Sequence, residues 1–117
     1  MSLIYKLLSR AEWQTAQAAG AFTGSAVDLS DGYIHFSTSA QAQETARRYF
    51  SGQSDLMVLA IETDDLSADL QVSLVWEPSR GGDLFPHLYR PLPVQAVLSA
   101  RAVDLDGEGV PMMGDLD

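Results

Sequence analysis

The chain holds two histidines, and each lies in a segment whose residue types could do chemistry. The first segment is His35-Phe36-Ser37-Thr38. A histidine near a strand end, two hydroxyls and a helix start suit an anion or a polar ligand. The helix start offers free backbone N–H groups and partial positive charge, and an imidazole donates or accepts a hydrogen bond near neutral pH. A capped helix beside a satisfied core histidine would show the same residues. The second segment is Trp76-Glu77-Pro78-Ser79-Arg80-Gly81-Gly82. A strand-end glutamate beside a glycine pair fits a catalytic or ribose-binding carboxylate; it also fits a solvent-facing group paired with Arg80. The third is Phe85-Pro86-His87-Leu88-Tyr89, where apolar groups surround one histidine in a proline-stiffened loop. Such a loop lines a pocket with His87 as its polar tip, or folds its aromatics over the core.

Other chemistries lack their residues. No His-x-His or His-x-x-x-His spacing occurs and there is no cysteine, so no metal site is expected. Thiol nucleophiles and disulfides are excluded for the same reason. No Walker loop, G-x-G-x-x-G or G-x-S-x-G is present, and Gly81-Gly82 alone is a weak phosphate signal.

The elements that must position these residues read as follows. Residues 3–8 form a first strand. Ser9 and Glu12 have capping-box spacing and open a helix that Gly20 stops. Residues 22–31 read as a small-residue loop ending in the turn pair Asp31-Gly32. Residues 33–36 form a strand with Ile34 and Phe36 on one face and Tyr33, His35 and Ser37 on the other. Thr38, with Gln41 three residues on, caps a second helix ending at Gly52, with Ala42, Ala46, Tyr49 and Phe50 as its apolar stripe. Residues 56–61 are apolar on both faces, as in a central strand. Residues 70–76 alternate, which predicts a half-buried strand with Trp76 inside and Glu77 opposite. Residues 78–82 break it, residues 85–93 read as irregular, and residues 94–105 as a last strand. Two main helices among mostly strands favour α+β with a mixed or antiparallel split sheet.

The 117 residues make one domain, expected over residues 1–105, followed by an acidic solvated tail over 106–117. Hydrophobic residues are 46% and charged residues 20%, enough for a core of its own. Sixteen acidic against seven basic residues leave a formal charge of −9, which disfavours general nucleic-acid binding. The longest apolar run is too short to span a membrane and the N-terminus lacks a signal-peptide pattern, so the cytoplasm is the expected location.

The run Asp31-Gly32-Tyr33-Ile34-His35-Phe36-Ser37-Thr38, then Trp76-Glu77, then Phe85-Pro86-His87-Leu88-Tyr89 with Pro91-Leu92, resembles the bacterial domain of unknown function 952 family. The resemblance extends from about Ile4 to Val103. Arg90 departs from it, standing where a glycine is expected; a bulky cation there would narrow a pocket or add an anion contact. The resemblance implies a fold like that of the ADP-ribosyltransferases, which bind NAD in a central cleft. It further implies that His35 and Ser37 contact the nicotinamide ribose, with Phe36 in place of the usual glycine. Tyr49 or Tyr89 would stack on nicotinamide, and Glu77 would stabilise an oxocarbenium-like transition state.

On this reading His35, Glu77 and His87 are the catalytic candidates. Ser37, Thr38, Tyr49, Trp76, Arg80 and Tyr89 are the ligand-binding ones. The expected substrate is NAD or a related nucleotide, cleaved or transferred at its N-glycosidic bond. A non-catalytic nucleotide-binding module and an interaction domain with an acidic surface are the alternatives.

Overall fold

The computed structural model describes residues 2–114 and Leu116, and of Arg80 the backbone alone. In chain order the elements are β1 (Leu3–Ser9), α1 (Arg10–Ala19), β2 (Ala21–Phe22), α2 (Ala26–Asp31), β3 (Ile34–His35), β4 (Ser37–Thr38), α3 (Ser39–Tyr49), β5 (Leu56–Glu62), α4 (Ala68–Ser73), β6 (Leu74–Pro78), β7 (Leu84–Leu88), β8 (Leu92–Pro93) and β9 (Ser99–Val103). This is an α+β fold. Among the described residues every strand pairing is antiparallel.

Local chemistry sets the helix ends. Ser9 and Glu12 close the expected capping box: the Glu12 N–H donates to Ser9 Oγ at 3.0 Å and the Ser9 N–H to Glu12 Oε1 at 2.9 Å. Gly20 ends α1 in the left-handed conformation that a side chain resists. The Thr38 N–H donates to Gln41 Oε1 at 3.0 Å at the start of α3.

A four-stranded sheet in the order β4-β1-β5-β9 carries the main core. Its β5 strand is buried throughout, as its unbroken apolar run requires. Alternation sends Ile4, Leu8, Leu59 and Ile61 to one core cluster. Tyr5, Leu7, Val58 and Ala60 go to a second, closed by Ala42 and Ala46 of α3. A second sheet, β3-β7-β6, holds the chemistry, and β2-β8 forms a short ribbon. The chain crosses between the two larger sheets at Phe36, whose N–H donates to the Pro86 carbonyl at 3.0 Å. Proline has no N–H, so the β3–β7 ladder of Ile34↔Leu88 and His35↔His87 goes no further.

Several expectations are corrected. The loop expected over residues 22–31 holds the end of β2 and the six-residue α2, too short for a hydrophobic period to reveal. The strand expected from residue 70 begins at Leu74; residues 68–73 are helical, because Leu66, Leu70 and Leu74 repeat at i, i+4, i+8 and all meet the core. Val72, read as one of the inward positions, is 82% exposed. Trp76 was expected inside and is 43% exposed, because β6 is an edge strand and Trp76 lies beyond the core. The irregular segment is in part β7, the middle strand of its sheet. The last strand is confined to β9, preceded by a 3-10 turn at Val94–Ala96.

The segment expected as a solvated tail returns to the body in its described middle. Pro111 and Met113 are buried, and Leu105 pairs with Pro111. Gln43 of α3 holds both ends of the turn: its Nε2 donates to the Pro111 carbonyl at 2.8 Å, and the Met113 N–H donates to its Oε1 at 3.0 Å. Asp115 and Asp117 lie outside the described residues. Among the described residues no helix is long and apolar enough to cross a membrane.

Candidate functional site

The β3-β7-β6 sheet gathers the polar residues by register. His35 and His87 are Cα partners, His87 faces Val75, and Glu77 faces Phe85. Directly paired residues share a face and alternate residues return to it. One face therefore carries His35, His87, Glu77 and Phe85, while Ile34, Leu74 and Leu88 fill the core on the other.

Each histidine is held by a carboxylate at Nδ1. His87 is buried, and its Nδ1 lies 2.7 Å from Glu77 Oε1. The Tyr89 hydroxyl donates to the same oxygen at 2.7 Å. These bonds, Tyr89 first and His87 second, hold the Glu77 carboxyl below its ordinary value. The same contact pushes the Tyr89 phenol up to about 12. With Nδ1–H donating to Glu77, Nε2 of His87 is left without a hydrogen-bond partner among the described residues.

His35 is held more firmly. Its Nδ1 lies 2.6 Å from Asp28 Oδ1, its backbone N–H donates to that oxygen at 3.2 Å, and its Nε2 lies 3.0 Å from Asp31 Oδ2. An imidazolium donates to both carboxylates, a neutral ring to one. Asp28 also accepts from Lys6 Nζ at 2.9 and 3.1 Å and from the Ser25 N–H at 2.8 Å. Burial alone would raise the Asp28 carboxyl; the bond from His35, the charge and bond of Lys6 and the Ser25 N–H outweigh it and bring it to about 2. Lys6 is lowered by burial despite Asp28. Lys6 sits between Ile4 and Leu8 on a core-facing side of β1, and an unpaired ammonium there would be costly. Asp28 of α2 supplies the partner.

Tyr33 joins the two histidines. Its ring stacks on His87 at 4.1 Å between centroids, lies tilted over His35 at 4.6 Å, and meets Tyr89 at 5.1 Å. The imidazoles are 5.4 Å apart, edge to face. This cluster opens on a cleft of about 650 Å³ with β1 and the β3–β4 junction along it. Tyr49 and Phe50 line it from the α3 side, and Val27 and Asp31 from α2.

Residues 7–100 match the family described as Protein of unknown function (DUF952). The chain belongs to this family. The crystal structure of protein CC0527 from Caulobacter crescentus is 56% identical to this DUF952 chain, with a TM-score of 0.90 over 97% of this chain and 96% of that one. The solution NMR structure of CC0527 is also 56% identical, with a TM-score of 0.85 over 97% and 95% of the two chains. A double-mutant crystal form of CC0527 is 54% identical, with a TM-score of 0.89 over 97% and 96%. No curated protein matches the chain.

The DUF952 fold brings His35, Glu77, His87 and Tyr89 into one cluster, and His35, Ser37, Tyr49 and His87 onto the cleft lining. Ser37 donates to Thr45 Oγ1 at 3.2 Å. Thr38 serves the start of α3 and does not line the cleft; nor does Trp76, which lies on the opposite face of β6 from Glu77. Glu77 stands behind His87 and Tyr89 and is not a lining residue. Arg90 is exposed and neither narrows the cleft nor lines it. The Arg80 side chain lies outside the described residues. Sequence reasoning missed Lys6, Asp28, Asp31 and Tyr33. Two signals for them exist: a lysine at an inward position of an apolar strand, and Ser25-x-x-Asp28, which has the spacing of a helix start.

Proposed function

We propose that the cleft is an acid–base pocket for NAD or a related nucleotide, cleaved or transferred at the N-glycosidic bond. One observation carries this reading: two histidines 5.4 Å apart, each tied at Nδ1 to a carboxylate, border one half-enclosed cleft. Carboxylate-held imidazoles have fixed tautomer and direction, as proton transfer to a bound ligand requires. The nucleotide itself comes from the family resemblance.

In the proposed hydrolysis the bond between C1′ and the base nitrogen breaks, and its electron pair goes to that nitrogen. Water adds to C1′ and gives its proton to His87 Nε2. His35 fixes the ribose end through the Asp31 carboxylate it holds at Nε2, which accepts from a ribose hydroxyl, with Ser37 supporting that end. Positive charge develops on the sugar, and a nearby carboxylate stabilises it most in the transition state. Asp31 is the acidic group beside His35 that lines the cleft, and Glu77 acts through His87.

A non-catalytic binding module is the second reading. It is favoured by Glu77, whose carboxylate engages His87 and Tyr89 and lies off the cleft lining. A nicotinamide-release assay with NAD separates the two. Release that disappears in His87→Ala supports the enzyme. Ligand-induced stabilisation without release supports the binder.

A further inference from the structure

The electrostatics of the cleft point to the kind of ligand it accepts. Glu12 and Asp31 line it, and Asp28 and Glu77 stand directly behind its two histidines. Among the described residues Lys6 is the one lysine or arginine side chain on the lining, and it is ion-paired to Asp28 at 2.9 Å. Among the described residues, even with both imidazoles protonated, four carboxylates outnumber the three cations Lys6, His35 and His87. Tyr33 registers the same field: its phenol is raised by burial first and then by Asp31, Glu77 and Asp28.

The lining is also aromatic. Tyr33, Phe36, Tyr49, Phe50 and Phe85 border the cleft. Ring faces attract cations, and more strongly where water is excluded. His87, 3% exposed as a residue, adds an Nε2 without a hydrogen-bond partner among the described residues. Aromatic faces and carboxylates together form the environment that holds a positively charged nitrogen; a phosphate would meet like charge.

We infer that the cleft recognises its ligand by a cationic nitrogen set against the Tyr33 ring and Asp31, and that it takes an N-ribosyl pyridinium nucleoside in preference to phosphate-bearing forms. The nucleoside part rests on the proposed function; the preference for cations rests on the lining. The pyridinium nitrogen carries its positive charge until the glycosidic bond breaks, so the charge that aids binding marks the bond to be cleaved.

The test is isothermal titration of the full chain with four probes: nicotinamide riboside, nicotinamide mononucleotide, NAD and phenyltrimethylammonium. The first two differ by one phosphate. The riboside is expected to bind about tenfold more tightly than the mononucleotide, a gap that narrows with added salt. Asp31→Asn is expected to weaken riboside binding several-fold and reduce that gap. Tighter binding of the mononucleotide or NAD than of the riboside overturns this inference and leaves the proposed function standing. Binding of phenyltrimethylammonium alone keeps the preference for cations and overturns the nucleoside assignment together with the proposed function. Binding of none by the folded protein overturns both.

Discussion

His35 and His87 are direct partners across the β3–β7 pair, and each ring is fastened at Nδ1 to a carboxylate from outside that pair. Asp28 reaches His35 from α2, and Glu77 reaches His87 from β6. The arrangement fixes two proton-carrying groups 5.4 Å apart with the Tyr33 ring against both. Its stability and chemistry can be tested separately.

Asp28 neutralises a buried lysine, so its removal strands a charge. Asp28→Ala is expected to cost about 3–5 kcal/mol, read from urea unfolding. Replacing both partners, as Lys6→Met with Asp28→Leu, is expected to cost less than Asp28→Ala alone, because no charge is then left unpaired. A loss under about 1 kcal/mol in Asp28→Ala would show that the pair is not what holds α2 to β1.

Acid should expose the same group. The Asp28 carboxyl is harder to protonate in the folded chain, near 2, than at its ordinary 3.8. Its contribution is therefore fully present above the ordinary value and is lost as pH falls from there through about 2. The loss is about 2 kcal/mol, measured as the drop in unfolding free energy between about pH 5 and pH 2. Asp28→Asn, compared with wild type, should lack this part of the acid slope.

Gly24 leads into the turn that delivers Asp28. Its φ is +121°, and a Cβ built there would stand 2.9 Å from Asp28 Cβ. Gly24→Ala therefore combines backbone strain with a clash against a held side chain. About 1–3 kcal/mol of destabilisation is expected in thermal or urea melts. Gly107→Ala, with open space around its Cβ and no positive φ, is the control and should be near neutral.

Glu77 and Tyr89 form a second measurable couple. Tyr89→Phe removes the largest contribution holding Glu77 down, so the Glu77 carboxyl should titrate higher, toward its ordinary value, in carbon-detected NMR. If turnover is found, Glu77→Gln should lower kcat with little change in KM, because it acts through His87. His87→Ala should lose about a hundredfold or more. A Glu77→Gln enzyme with unchanged kcat and pH profile would remove Glu77 from the mechanism.

What the sequence made legible was local. Ser9 and Glu12 lie three residues apart and satisfy each other, so α1 could be read directly. The apolar run of β5 fits burial on both faces, and the alternation around His35 placed Ile34 and Phe36 in the core. Period-two spacing misled at residues 70–74, where Leu66, Leu70 and Leu74 were the repeat that packing used. Pro86 argued against a middle strand, yet β7 accommodates it where β3 ends, and only its carbonyl is needed there.

The site was legible as residue types and not as contacts. His35, Glu77 and His87 stood out by chemistry, but their meeting depends on strand register set by distant packing. Asp28 lies 22 residues from Lys6, in a segment with too few residues to show a period. Tyr33 was read on the face of His35 without a partner; its stacking on His87 required β3 and β7 to pair.

The most direct test of the central claim is a thermal-shift comparison of wild type and His35→Ala with NAD, ADP-ribose, nicotinamide riboside and nicotinamide. At least one ribosyl ligand is expected to raise the melting temperature of the wild type by several degrees at saturating excess, and the shift is expected to disappear in a folded His35→Ala protein. No shift in the wild type with any of them, or an equal shift in the variant, would contradict a ligand pocket built on His35.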